Sequence, residues 1–227
     1  MILYVYSFVT ADQYPMNYSI AEEIAHSIIH GIGAVLAFVG LGILVEHATV
    51  FGGVRHVVSC GIYGATLILL YTSSTLYHSI QNHQAKSVLR VLDHSSIYLL
   101  IAGSYTPFTL VNLRGVWGWS LFGFVWLLAM FGIVLQLTPL RRLSYLRLIL
   151  YLTMGWAVVV AIKQLAASIP ANALALLVAG GVAYTAGIIF YLWKRLPYHH
   201  AIWHVFVLSG SILQFFAVLV SVKSSGA

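Results

Sequence analysis

Seven stretches of roughly 20 mostly apolar residues divide the chain, and each is long enough to cross the hydrocarbon core of a bilayer as an α-helix. They lie at about 24–46, 56–79, 89–111, 116–136, 146–166, 172–193 and 201–222. Between them stand short polar or basic breaks, among them Gln81-Asn82-His83-Gln84-Ala85-Lys86, Arg141-Arg142 and Lys194-Arg195-Leu196-Pro197. In lipid every backbone N–H and C=O needs an internal partner, which leaves helices or a closed barrel. The runs are too long for barrel strands and lack their two-residue alternation. Composition agrees: 61% of residues are hydrophobic and 7% charged, with a mean hydropathy of +0.94. A soluble domain carries about 25% charged residues. The expected fold is therefore an all-α seven-transmembrane helix bundle.

The domain plan is a short N-terminal tail, 1–18, followed by one seven-helix transmembrane domain, 19–223. Met1 to Thr10 are apolar but lack a basic n-region and a small-residue cleavage site, so no signal peptide is expected. They read as an interfacial overhang, or else Met16 is the true start. Ser19-Ile20-Ala21-Glu22 has the form of a capping box, with Ser19 as N-cap and Glu22 reaching back to it. Glu22 and Glu23 are thereby explained as helix-start chemistry. The lone cysteine, Cys60, excludes an intrachain disulfide and a cysteine metal cluster, and it reads as a small packing residue.

Net charge is +6, without a basic run that interleaves aromatics, so nucleic acid is not an expected partner. The excess reports orientation and anionic lipid instead. With seven spans, one side of the membrane holds Lys86, Arg90, Arg141, Arg142, Arg147, Lys194 and Arg195, and the other Arg55, Arg114, Lys163 and Lys223. The positive-inside rule then places the N-terminus in the cytoplasm and the C-terminus outside.

Ionisable groups inside a membrane are costly and suggest function. Of the five acids, Asp12, Glu22, Glu23, Glu46 and Asp93, only Asp93 lies close to the interior of a span. Eight of the ten histidines fall on the side assigned as cytoplasmic: His26, His30, His78, His83, His94, His199, His200 and His204. His200 and His204, at i and i+4, share one face of helix seven, where both imidazoles can reach one metal ion. Ser74 and His78 repeat that spacing near the end of helix two, at the same depth as the start of helices three and seven. Three neutral imidazoles, His78, His200 and His204, with the Asp93 carboxylate nearby, make a zinc-like set. His26 and His30 form a competing i, i+4 pair on helix one, ranked second because that helix offers no further polar partner. His47, His56 and His83 read as interfacial. Pro107, in Ser104-Tyr105-Thr106-Pro107, is expected to kink helix three, with hydroxyls re-satisfying backbone groups. Gly61, Gly64 and Gly103 suit close helix packing. Trp117, Trp119, Trp193 and Trp203 suit aromatic belts.

Ser74-x3-His78, Asp93 and His200-x3-His204 in a seven-span chain resemble the progestin and adipoQ receptor family, most closely its bacterial branch, the hemolysin III proteins. The segments Glu22 to Gly31, Ser73 to His78, Leu92-Asp93-His94, Tyr105 to Phe108 and Ala201 to His204 carry the resemblance, which runs from about residue 17 to the last span. It implies a Zn2+ ion held by His78, His200 and His204 near the cytoplasmic face. It further implies that Asp93 lies beside a water on that ion, with Ser74 close to it. It implies a cytoplasmic N-terminus in a bacterial plasma (inner) membrane. The long cytosolic N-terminal region of the animal receptors has no counterpart here, so adaptor-type signalling does not carry over. Similarity of the family to membrane ceramidases implies a zinc-dependent hydrolase acting on a lipid amide or ester, with membrane lipids as partners.

Three readings follow. In the first, the site hydrolyses a lipid amide or ester, with Asp93 and Ser74 as catalytic groups. In the second, the metal is structural and the protein is a non-enzymatic sensor or regulator of lipid state. The third, a cytolysin as the branch name suggests, ranks last, because a secreted pore former needs a water-soluble state that this composition does not provide.

Overall fold

The computed structural model describes residues 18–113 and 115–225. The tail up to residue 17, with Met1–Thr10, Asp12 and Met16, lies outside the described residues, as does Arg114. The described chain is helical, and seven helices are long and apolar enough to span a membrane. They are α1 Ile20–Phe51, α2 Val54–Ser79, α3 His83–Leu113, α4 Gly115–Gln136, α5 Ser144–Ala166, α6 Ala171–Leu192 and α7 His199–Ser225. Short connections make successive helices antiparallel. The end of the bundle where α1, α3, α5 and α7 begin is called the N-side below.

Helices overshoot the apolar stretches. α1 has 32 residues, about 48 Å at 1.5 Å per residue, against a hydrocarbon core of about 30 Å. α3 begins at His83 rather than near residue 89, since Asn82 caps it by accepting hydrogen bonds from the Gln84 and Ala85 amides. Polar turns therefore extend the spans on the N-side. The Ser19–Glu22 capping box is present, with the Ser19 side chain accepting from the Glu22 amide and Glu22 reaching back to Ser19.

After Pro107 the α3 backbone widens into a π-helical turn, Phe108–Leu113. The hydroxyls of Thr106 and Thr109 donate to the Ala102 and Tyr105 carbonyls there. α5 carries a comparable irregularity, a 3₁₀ turn over Ala157–Ala161. There the Tyr105 hydroxyl donates to the Gly155 carbonyl and accepts from the Val158 amide.

Packing divides the bundle in two. α1 lies against α2 and α7, and α6 against α7; α3 joins α2 to α4, while α5 is the most lightly held. One apolar core joins α1, α2 and α7 through Leu44, Tyr63, Leu67, Tyr71 and Val218. The second joins α3, α4 and α5 through Tyr98, Ala102, Val125, Ala129 and Met154. Glycine permits close contact at Gly64, against Leu41, and at Gly103, against Thr66. Gly61 does not act this way, because a side chain there would meet open space. Trp117, Trp119 and Trp193 are exposed toward the surroundings of the bundle, but Trp203 packs against Tyr191 and the first core. Cys60 is fully buried. His56 departs from an interfacial role: it is buried, and its Nδ1 accepts from the Gly53 amide at the start of α2.

Candidate metal centre

α1 brings a single stripe to the interior: Glu23, His26, His30, Gly33, Ala37, Gly40 and Leu44. Steps of three and four residues keep these on one helix face. The first three meet the N-side end of α2 and the first turns of α7. Five imidazoles, those of His26, His30, His78, His200 and His204, converge there. His26 is fully buried, with ring centroids 4.6 Å from His78, 4.9 Å from His200 and 5.2 Å from His204. His30 stacks on His204 at 3.6 Å with rings nearly parallel. Tyr18 caps the cluster from the N-side, 4.9 Å from the His26 ring and 5.2 Å from His200. Its burial pushes the phenol well above the usual tyrosine range.

Two sets of donors are close enough to share an ion. One donor atom each from His78, His200 and His204 lies within 4.8 Å of the others, and the same holds for Glu23, His26 and His78. The two sets share His78, whose ring nitrogens have different surroundings. Nδ1 is 2.6 Å from Glu23 Oε2, while Nε2 is buried with no hydrogen-bond partner among the described residues. His200 Nδ1 and both nitrogens of His26 are likewise buried without hydrogen-bond partners among the described residues, although His26 Nδ1 lies 3.8 Å from Glu23 Oε2. Buried polar atoms are normally satisfied, and an orphan calls for an explanation such as an ion. Neutral imidazole nitrogens left open in one cluster, with carboxylates beside them, fit a divalent transition metal.

Asp93 joins the cluster through Ser74. Ser74 lies beside Asp93, and its hydroxyl is 2.7 Å from His30 Nδ1. Asp93 Oδ2 is also 3.5 Å from His94 Nδ1. His30 Nδ1 and the Ser74 hydroxyl share a hydrogen bond whose donor is set by the His30 tautomer. Below this layer the Tyr71 hydroxyl donates to Ser211 at 2.7 Å, and Tyr184 meets the same serine at 2.8 Å.

The sequence-predicted set, Ser74, His78, Asp93, His200 and His204, thus lies in one polar layer, reached from α2, α3 and α7. Sequence reasoning ranked His26 and His30 second and read Glu23 only as helix-start chemistry. Glu22 is a capping residue, but Glu23 is not: it is 3% exposed and holds Lys86 Nζ at 2.7 Å as well as His78. With Glu23 beside it, α1 does offer a further polar partner, contrary to the ranking that placed its histidines second.

A seven-helix bundle with a buried histidine–carboxylate layer at one end defines a multi-pass membrane protein with a site that could hold a metal ion. The chain belongs to the Haemolysin-III related family, within the progestin and adipoQ receptors, the family profile matching residues 18–215. It is 47% identical over 204 residues to Hemolysin-3 of Bacillus cereus, covering 90% of this chain and 93% of that one. The Hemolysin-3 homolog of Bacillus subtilis is 47% identical over 202 residues, 89% and 95% of the two chains. The human Monocyte to macrophage differentiation factor is 28% identical over 169 residues, 71% of this chain and 69% of that one. No solved structure matches the chain significantly.

Proposed function

We propose that the protein is a zinc-dependent hydrolase of lipid amides or esters in the bacterial plasma membrane, with the N-side facing the cytoplasm. The observation that carries this reading is the meeting of His78, His200 and His204 donors within 4.8 Å, beside Ser74 and Asp93. The orientation is supported by the excess of lysine and arginine on the N-side. Three histidine ligands are a common catalytic zinc arrangement, since they leave one position open. When bound, zinc supplies Lewis acidity to a carbonyl and makes water a nucleophile near neutral pH.

The remaining chemistry belongs to the chain. Asp93 is the base: its carboxylate accepts a proton from the attacking water and returns it to the departing amine or alkoxide. One water is consumed, and a fatty acid and an amine or alcohol leave. Ser74 donates its hydroxyl proton to Asp93 and fixes the carboxylate's direction. His30 Nδ1–H holds Ser74 in turn, and stacking on His204 keeps the His30 ring in place. The surrounding burial strengthens each of these contacts.

The test is a screen of lipid amides and esters with the purified zinc-loaded protein in lipid nanodiscs. Turnover by the wild type, lost in Asp93→Asn with zinc retained, supports the reading. No turnover across the screen, with Asp93→Asn indistinguishable, removes it.

One observation favours the second reading, a lipid-state sensor with a structural metal. An apolar cleft between α3, α5 and α6 is lined by Tyr105, Phe108, Trp156, Val159 and Leu177, with no histidine in its lining. A lipid chain held there lies away from the polar layer. This reading expects an unmodified lipid to co-purify with the protein, and His78→Ala to abolish its response without loss of any turnover.

A further inference from the structure

Glu23, His78 and Lys86 form a buried triad that ties together the N-side ends of α1, α2 and α3. Glu23 Oε2 is 2.6 Å from His78 Nδ1, and Glu23 Oε1 is 2.7 Å from Lys86 Nζ. Glu23 is 3% exposed and Lys86 8%. An ionised carboxylate and an ammonium so far from water persist only as a pair, and here their charges cancel. His78 can then remain neutral, as a metal ligand must.

The geometry fixes more than charge. An ionised carboxylate has no proton to give, so the 2.6 Å contact requires the proton to sit on His78 Nδ1. The lone pair is then on Nε2, the nitrogen that is buried without a hydrogen-bond partner among the described residues. Metal-binding histidines commonly use one nitrogen for the ion and donate the other N–H to a carboxylate, which sets tautomer, orientation and basicity.

We propose that Glu23 is a positioning residue of the candidate metal centre: balanced by Lys86, its carboxylate holds His78 in the Nδ1–H tautomer and leaves Nε2 free for the ion. This rests on the three-histidine reading given above. The competing role for Glu23 is that of a direct ligand with His26 and His78. Against it, both Glu23 oxygens are already committed, and a cation there would sit beside the Lys86 ammonium.

The test uses the full-length protein in detergent, stripped of metal and titrated with zinc against a chromophoric chelator. Glu23→Gln should weaken zinc binding about 10–100-fold at unchanged stoichiometry. Glu23→Gln/Lys86→Met removes both charges together and should show a similar loss, without an unpaired buried lysine to disturb the fold. His78→Ala should lose the ion. If His78→Ala loses zinc while both Glu23 variants stay within about twofold of wild type, the positioning role fails and the metal reading stands. If His78→Ala binds zinc as wild type does, the three-histidine reading itself fails. A nitrogen-15 NMR spectrum of the zinc-free wild type, assigned by difference from His78→Gln, gives a readout that does not depend on how the Glu23 variants fold. A proton on Nδ1 is expected, and a proton on Nε2 overturns the proposal.

Discussion

The N-side ends of α1, α2, α3 and α7 and the arc formed by α4, α5 and α6 solve opposite packing problems. The first region buries Glu23, His26, His30, Ser74, His78, Lys86, Asp93 and His204 in one layer. In α6 the buried residues are only Ala173, Gly180 and Gly187, and in α4 they are apolar or glycine apart from Gln136. Helices in lipid associate mainly through close van der Waals contact, so small residues at the interfaces suffice to hold α4 and α6 in place. Charged and imidazole groups do not lower the energy of a bundle by themselves. They persist where they satisfy one another or await a ligand. The arc is held by close packing of small residues, whereas the N-side keeps costly polar groups buried together.

The contrast can be broken first at Asp93. On the catalytic reading, Asp93→Asn lowers hydrolysis about 10²–10⁴-fold, the usual contribution of a general base, while zinc content stays at the wild-type level. Steady-state rates beside elemental analysis check this. Next, Lys86→Met leaves Glu23 as a buried charge without its ammonium. It should destabilise the bundle by about 3–5 kcal/mol, measured by unfolding in mixed micelles.

In the arc, effects should be smaller and leave the metal alone. Gly132 packs against the Tyr98 ring, so Gly132→Ala forces that ring to shift and should cost about 1–3 kcal/mol with zinc content unchanged. Smallest is Leu127→Ala. This side chain is 73% exposed on the outer face of α4, and its loss should change stability by less than about 0.5 kcal/mol. A large effect of either arc variant on metal content would erase the distinction between the two regions.

The fold was legible because a run of some 20 apolar residues has one economical structure in lipid. His78, His200 and His204 were legible because i, i+4 spacing and the four crossings between the end of α2 and the start of α7 put them at one end of the bundle. Glu23 was not. It adjoins Glu22 in the same first turn, where any acid suits the helix dipole, but a step of about 100° turns it from the capping edge to the interior. A signal was there to read: Glu23, His26 and His30 continue in steps of three and four into Gly33, Ala37 and Gly40. Small residues mark a helix face that a neighbour approaches closely, so polar residues on that same stripe had to point inward. The role of Lys86 was hidden differently. It looks like a loop lysine, and only the cap at Asn82 extends α3 far enough to make it helical. Ser74 was placed beside Asp93 by resemblance, but its contact with His30 pairs two helices that no local pattern relates.

The central claim is that the imidazoles of α2 and α7 hold one ion at the N-side of the bundle. Element-resolved metal analysis of the purified wild type beside the His78→Ala/His200→Ala/His204→Ala variant tests it most directly. The account predicts about one zinc per chain in the wild type and none in the variant, since a site stripped of all three ligands has no alternative set of equal affinity. Zinc retained by the variant at the wild-type level would contradict it.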